Sequence, residues 1–208
     1  MAAGFGPGCA ARPARQFEPA GPEEARRALS AWEEALDRSR ALPAARLLYK
    51  ARLVQGLLQV RGTLAVSYGP GFLEATLSGP FGAPVARYQD GALRGEGILP
   101  FSVEAEDLRS ILAGVWRKGI PRLAGFEGGD GLLRWEEPEE ADAVLDIAGA
   151  RLRSLRVSRG EGALLATYEG PFDPWPGRVE LEDLQSGNKI RLTLIAREPL
   201  KDRPTSCR

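Results

Sequence analysis

Between Thr63 and Ser78 the chain alternates at a period of two. Leu64, Val66 and Tyr68 interleave with Thr63, Ala65 and Ser67, and after Gly69-Pro70-Gly71 the residues Leu73, Ala75 and Leu77 interleave with Glu74, Thr76 and Ser78. Only an extended strand places every second residue on one face. The pattern recurs near the C-terminus, where Ile190, Leu192, Leu194 and Ala196 oppose Lys189, Arg191 and Thr193 behind the turn Gln185-Ser186-Gly187-Asn188. One apolar and one wet face mark an antiparallel sheet. The same period runs through 47–99, punctuated by turns at 79–84 and at Asp90-Gly91, and further strands are expected over 132–135, 141–147, 151–158, 164–169 and 178–184. The sum is about nine strands joined by tight turns.

Two segments change to helical spacing. Pro22 is preorganised for a first helical position, and Ala25, Leu29, Trp32 and Leu36 form one apolar stripe that Pro43 terminates. Glu23–Arg27 and Glu34–Arg38 are favourable four-apart pairs on its wet side. The second helix is expected over 103–117, capped by Ser102 and stopped by Gly119 and Pro121. Its stripe is Leu108, Ile111, Leu112, Val115 and Trp116, which is either a core contact or a lid over an apolar cavity. Two helices are too few for a parallel α/β fold and cannot cover both faces of so large a sheet. The fold class expected is therefore mainly β with helices (α+β), an antiparallel sheet that curls on itself while the helices close one side.

Composition narrows the function. Residues 1–21, rich in Ala, Gly, Pro and Arg without periodicity, read as a disordered tether; 22–199 reads as one domain, and 200–208 as a flexible tail. Lys plus Arg and Asp plus Glu both number 28, so bulk charge draws no nucleic acid to the chain. The count of His is 0. That removes Ser-His-Asp and Cys-His pairs and the commonest transition-metal ligand, and the chain is read as a binding protein, not an enzyme, with no cofactor and no metal. No apolar run reaches the roughly 18 residues of a membrane-spanning helix.

The remaining clusters carry little chemistry. Glu136-Glu137-Pro138-Glu139-Glu140 with Asp142 lacks the alternating spacing of a calcium loop and reads as a solvated loop. Gly125-Phe126-Glu127-Gly128-Gly129 lacks the Lys-Ser/Thr of a phosphate-binding loop. Among Arg151, Arg153, Arg156 and Arg159, the period of two sets Arg156 on the opposite face from Arg151 and Arg153, a charged outer surface. Two turns carry large apolar residues. Trp175, in 170–177, is expected to tuck onto the domain; Phe81, between Pro80 and Gly82, either packs or contacts cargo or membrane. Cys9 in Gly8-Cys9-Ala10 resembles the cleavage point of a bacterial lipoprotein signal, and is either a lipidation site exposed by an upstream start or an incidental tail cysteine.

Taken together, Leu73 to Ser78 running into Gly79-Pro80-Phe81-Gly82-Ala83-Pro84-Val85 and Asp90-Gly91, with Thr167-Tyr168, Pro176, Val179 to Asp183 and Gly187 to Leu192, resemble the bacterial lipoprotein-localisation proteins. The likeness spans about 47–197 and is nearer to LolB, the outer-membrane receptor, than to LolA, the periplasmic carrier. It implies an incomplete β-barrel with a helical lid and an apolar cavity for lipoprotein acyl chains. It also implies an apolar loop residue, here Phe81, that meets the inner leaflet of the outer membrane, an anchor at Cys9, and a periplasmic carrier as partner. The implied location is the periplasmic face of the outer membrane, or the periplasm without the anchor. The lipobox-like stretch departs from the pattern at Gly6 and Pro7, and Ala196-Arg197 stand where LolB sequences often close on a Trp. The alternative reading is a structural or assembly module of an envelope complex that uses the same barrel as a docking surface. A binder would hold a continuous apolar cavity under the lid, whereas a docking module would have a filled interior.

Overall fold

A computed structural model describes residues 17–69, 72–89, 92–94, 104–137, 140–159 and 162–200. Cys9, Ser102 and most of the segments 1–21 and 200–208 lie outside them. The elements in chain order are α1 (Pro22–Arg40), β1 (Ala45–Gln55), β2 (Leu58–Gly69), β3 (Phe72–Ser78), β4 (Pro84–Gln89), β5 (Ala92–Arg94), α2 (Ala105–Ala113), β6 (Arg122–Glu127), β7 (Asp130–Trp135), β8 (Ala141–Asp146), β9 (Arg151–Arg159), β10 (Gly162–Phe172), β11 (Pro176–Asp183) and β12 (Lys189–Pro199). All twelve strands join one antiparallel sheet in the order β5-β4-β3-β2-β1-β12-β11-β10-β9-β8-β7-β6. Two meanders, β1 to β5 and β6 to β12, are stitched together by β1 against β12, and β5 and β6 are the two ends of an open sheet. The connection from β5 to β6 must travel from one sheet edge to the other, and α2 lies on that path.

Alternation decides which face is buried. Leu47, Tyr49, Ala51 and Leu53 of β1, Leu64, Val66 and Tyr68 of β2, and Leu152, Leu155 and Val157 of β9 all enter one core with both helices. In α1 the buried residues are Ala28, Ala31, Trp32, Ala35 and Ser39. The stripe is therefore rotated from the one read in the sequence, with Leu29 and Leu36 half-buried at its border. Three alanines at the contact let the helix backbone sit close to the sheet, where leucines would hold it away. α1 packs over β6 and β9, and Trp32 meets Trp135 of β7 edge-to-face at 6.4 Å.

Two β-bulges account for the faces that simple alternation misassigns. Ile195 is an extra residue in β12, because Leu48 pairs with Ala196 while Tyr49 pairs with Leu194. Beyond it the burial alternation ends and Ala196 is exposed. Likewise Val144 pairs with Ser154 and Leu145 with Leu152, leaving Arg153 unmatched. A bulge resets the parity of its strand, so Leu152 and Leu155 both point inward and Arg156 shares the exposed outer face with Arg153. β6 occupies the glycine-containing stretch that period-two reading passed over. Its outer edge accepts the chain just before α1: Glu18 and Phe126 exchange backbone hydrogen bonds of 3.0 and 2.9 Å. A side chain on Gly125 would strike Phe17, so glycine is what allows this close approach.

Candidate functional site

α2 ends three residues earlier than the row of apolar residues it begins. Gly114 takes φ 67, ψ 32, the left-handed cap conformation, and the N–H of Val115 bonds back to the Ser110 carbonyl. The helix is thus stopped by Gly114, before Gly119 and Pro121 are reached, and Val115 and Trp116 follow in a non-helical segment. Ile111, Leu112, Val115 and Trp116 are nonetheless all fully buried, and Leu108 packs partly buried against the same core. The stripe read as a lid is inserted in the sheet's inner face.

Polar contacts fasten this insert. Arg109 donates to the Gly69 carbonyl at 3.1 Å, and Arg117 donates to the Ser39 carbonyl of α1 at 2.8 Å and to the Tyr68 hydroxyl at 2.7 Å. Tyr168 of β10 donates to the Ile111 carbonyl at 3.1 Å. Asp107, fully buried, pairs with Lys118 at 2.9 Å, and the Lys118 ammonium lies 5.4 Å from the centre of the Trp116 ring. Burial raises the hydroxyl pKa of Tyr49 and Tyr168 above the ordinary tyrosine value, and Tyr49 raises that of Tyr168 further. Both are therefore neutral donors at any physiological pH.

Where the two helices converge, an opening of about 400 Å³ remains. It is walled by Leu42 and Pro43 after α1, Ala113 and Gly114 at the end of α2, Ala150 of the β8–β9 turn and Phe172 of β10. The volume falls within the range of small-molecule sites. Phe172 packs against Tyr168 with ring centres 5.8 Å apart and also touches the Gly114 backbone, where a side chain would collide with its ring. Trp175 tucks in: it is buried and meets Tyr68 edge-to-face at 4.6 Å. The indole N–H groups of Trp32, Trp116, Trp135 and Trp175 and the Tyr49 hydroxyl have no hydrogen-bond partner within the described residues.

Phe81 stands apart from all of this. It is 99% exposed in the β3–β4 turn, so the structure brings it together with none of the α2 residues. Sequence reasoning missed a second exposed apolar tip, Leu57 and Leu58 at the end of the β1–β2 hairpin. The signal available was Gly56, which takes φ 57, but two leucines beside it disguised the turn. Among the described residues no group of His, Cys, Asp and Glu could hold a metal ion, and no helix is long and apolar enough to cross a membrane.

No family model matches the sequence, and no curated protein matches it either. Solved structures do share the fold. A LolA superfamily protein from Nitrosomonas europaea superposes with a TM-score of 0.56 at 14% identity, covering 85% of this chain and 94% of that one. A domain provisionally described as an outer membrane lipoprotein-sorting protein, from Vibrio parahaemolyticus, gives a TM-score of 0.52 at 10% identity, covering 89% and 94%. A DUF1329 family protein from Desulfovibrio piger gives 0.50 at 9% identity, covering 86% and 94%. The fold is therefore that of LolA-like proteins: an antiparallel open sheet, not closed into a barrel, with helices on its inner face.

Proposed function

We propose that the protein binds acyl chains, of lipoproteins or another lipid, in the bacterial cell envelope and acts by apolar burial with no covalent step. The observation that carries this reading is the mainly apolar opening of about 400 Å³ at the junction of the two helices, on the buried side of an open sheet. Apolar walls with a few fixed polar groups suit an acyl chain joined to a polar ester or amide, and Arg38, Ser39 and Arg151 supply such groups at the wall. The fold shared with a domain provisionally described as lipoprotein-sorting supports the same class of cargo. Within this reading Leu108, Ile111, Leu112, Val115 and Trp116 form the lid in its closed position. Phe81 is the residue presented to cargo or to the inner leaflet of the outer membrane, Cys9 is the anchor, and a periplasmic carrier hands over the cargo, as in LolB-like lipoprotein insertion.

The test is displacement of a fluorescent fatty acid. The wild type binds the probe, and Ala113→Phe, which places a ring in the opening, abolishes binding while the thermal midpoint stays near the wild-type value. Absence of probe binding by the wild type refutes the reading. A second reading, a docking module of an envelope complex, draws on the filled interior beneath α2, where four of the five stripe residues are inaccessible. It predicts no bound lipid in native mass spectrometry of protein taken from its own host.

A further inference from the structure

The outer face of the sheet carries an arrangement that folding alone disfavours. Arg52 of β1 stands directly opposite Arg61 of β2 and directly opposite Arg191 of β12, so three guanidinium side chains lie abreast on adjacent strands. Like charges facing each other across strands destabilise a sheet. Among the described residues only Arg191 of the three is ion-paired, to Glu180, which Lys189 also approaches at 3.8 Å. Arg52 donates to the neutral Gln59 side chain, and Arg61 has no ion pair within the described residues. These arginines line a groove of about 900 Å³ on that face. On the same hairpin, at its end, Leu57 is fully exposed and Leu58 more than half exposed. The register from Arg52↔Arg61 to Gln55↔Leu58 is three positions, or about 10 Å of strand.

We infer that the β1–β2 hairpin docks on an anionic phospholipid surface, with Leu57 and Leu58 entering the acyl boundary and the arginine rung meeting lipid phosphates. An apolar tip followed by cations about 10 Å behind it matches the depth to which interfacial segments enter the headgroup region. Guanidinium groups bind phosphate in a planar, bidentate manner. The anion offsets the repulsion among the three guanidiniums, of which Arg191 alone is ion-paired among the described residues. This deepens the envelope reading, on which it rests only for the presence of a bilayer. It concerns a different face from the helix-end opening.

The experiment is co-sedimentation of the full chain with vesicles of phosphatidylcholine alone or with added phosphatidylglycerol. Binding is expected to favour the charged vesicles and to weaken with salt. Arg61→Gln is expected to lower that affinity about fivefold, and Arg52→Gln with Arg61→Gln still further. Neither should lower the thermal midpoint, because each relieves repulsion. Leu57→Ser with Leu58→Ser is expected to abolish binding. Equal binding to neutral vesicles, wild-type affinity in the double arginine variant, or full binding by the leucine variant overturns the proposal. Release of the protein by soluble glycerol phosphate overturns it too, by showing a site for a small free anion. Ala113→Phe should leave vesicle binding intact, so loss of the acyl-chain reading and loss of this one are separable outcomes.

Discussion

Asp107 and Lys118 show how a few charged atoms position the insert. The carboxylate is fully buried and the ammonium retains only 16% exposure. Removing one member of such a pair strands the other in a low-dielectric interior. Lys118→Met is therefore expected to lower unfolding free energy by about 3 kcal/mol, read by urea denaturation, and Asp107→Asn in the same background should recover part of it. Two further carboxylates, Asp146 and Asp183, carry a pH dependence. Burial pushes the Asp146 pKa up, but the Gly149 N–H and the Arg151 and Arg153 guanidiniums outweigh it, leaving it below the ordinary carboxylate value. Asp183 is lowered by hydrogen bonds from the Ser186 hydroxyl and the Gln185 N–H. A depressed folded-state pKa gives stability that is complete above the unfolded value of about 4 and is lost as pH falls through the folded one. The thermal midpoint should therefore fall below about pH 4, and Asp146→Asn should be less stable than wild type at pH 7 with the gap closing in acid. A gap that persists unchanged in acid would show that Asp146 contributes nothing through its charge. At this scale the sequence revealed that Phe81 and Trp175 were unusual turn residues. Trp175 found a partner in Tyr68 and Phe81 found none, and that difference depends on neighbours far away in the chain.

Elements were legible where period and punctuation agreed. The β11–β12 hairpin alternates from Val179 through Leu192 around a turn at Gly187, φ 70, so the turn and both strands as far as the Ile195 bulge could be read directly. The β1–β2 turn was hidden because Gln55-Gly56-Leu57-Leu58 puts leucines where turns normally place polar residues. Bulges at Arg153 and Ile195 left no mark in composition, since one extra residue changes parity without changing residue type. α2 illustrates the same limit: its apolar row continues to Trp116, but Gly114 in the left-handed region ends the helix first. Gly114→Ala places a Cβ both in that strained conformation and against the Phe172 ring. It is expected to cost about 1–3 kcal/mol and to shift the environment of the neighbouring Trp116, seen as a change in intrinsic fluorescence. An unchanged thermal midpoint would mean that the segment after α2 repacks freely, and that Gly114 does not fix the insert.

The open sheet and the edge-to-edge crossover together determine which parts of the molecule can respond to cargo. Every central strand is hydrogen-bonded on both sides, whereas the insert around α2 is held by a handful of side-chain bonds and by apolar packing. Local opening costs least where such bonds are fewest. The sheet topology was legible only in part, since the pairing of β1 with β12 joins residues about 140 positions apart and no local signal encodes it. That pairing closes the two meanders into one floor beneath both helices. If an acyl chain enters the helix-end opening, saturating probe at about a hundred times its Kd should stabilise the fold by about 2.7 kcal/mol. Hydrogen exchange should then slow at residues 39–43, 113–118 and 172–175, while β1 and β9 keep their exchange rates. If the cargo instead displaces the whole insert, exchange over 105–116 should accelerate on loading, and the lid reading of Ile111, Leu112 and Trp116 gains direct support at the expense of the smaller opening. No change anywhere in the exchange pattern at saturating probe would place the cargo outside the inner face altogether.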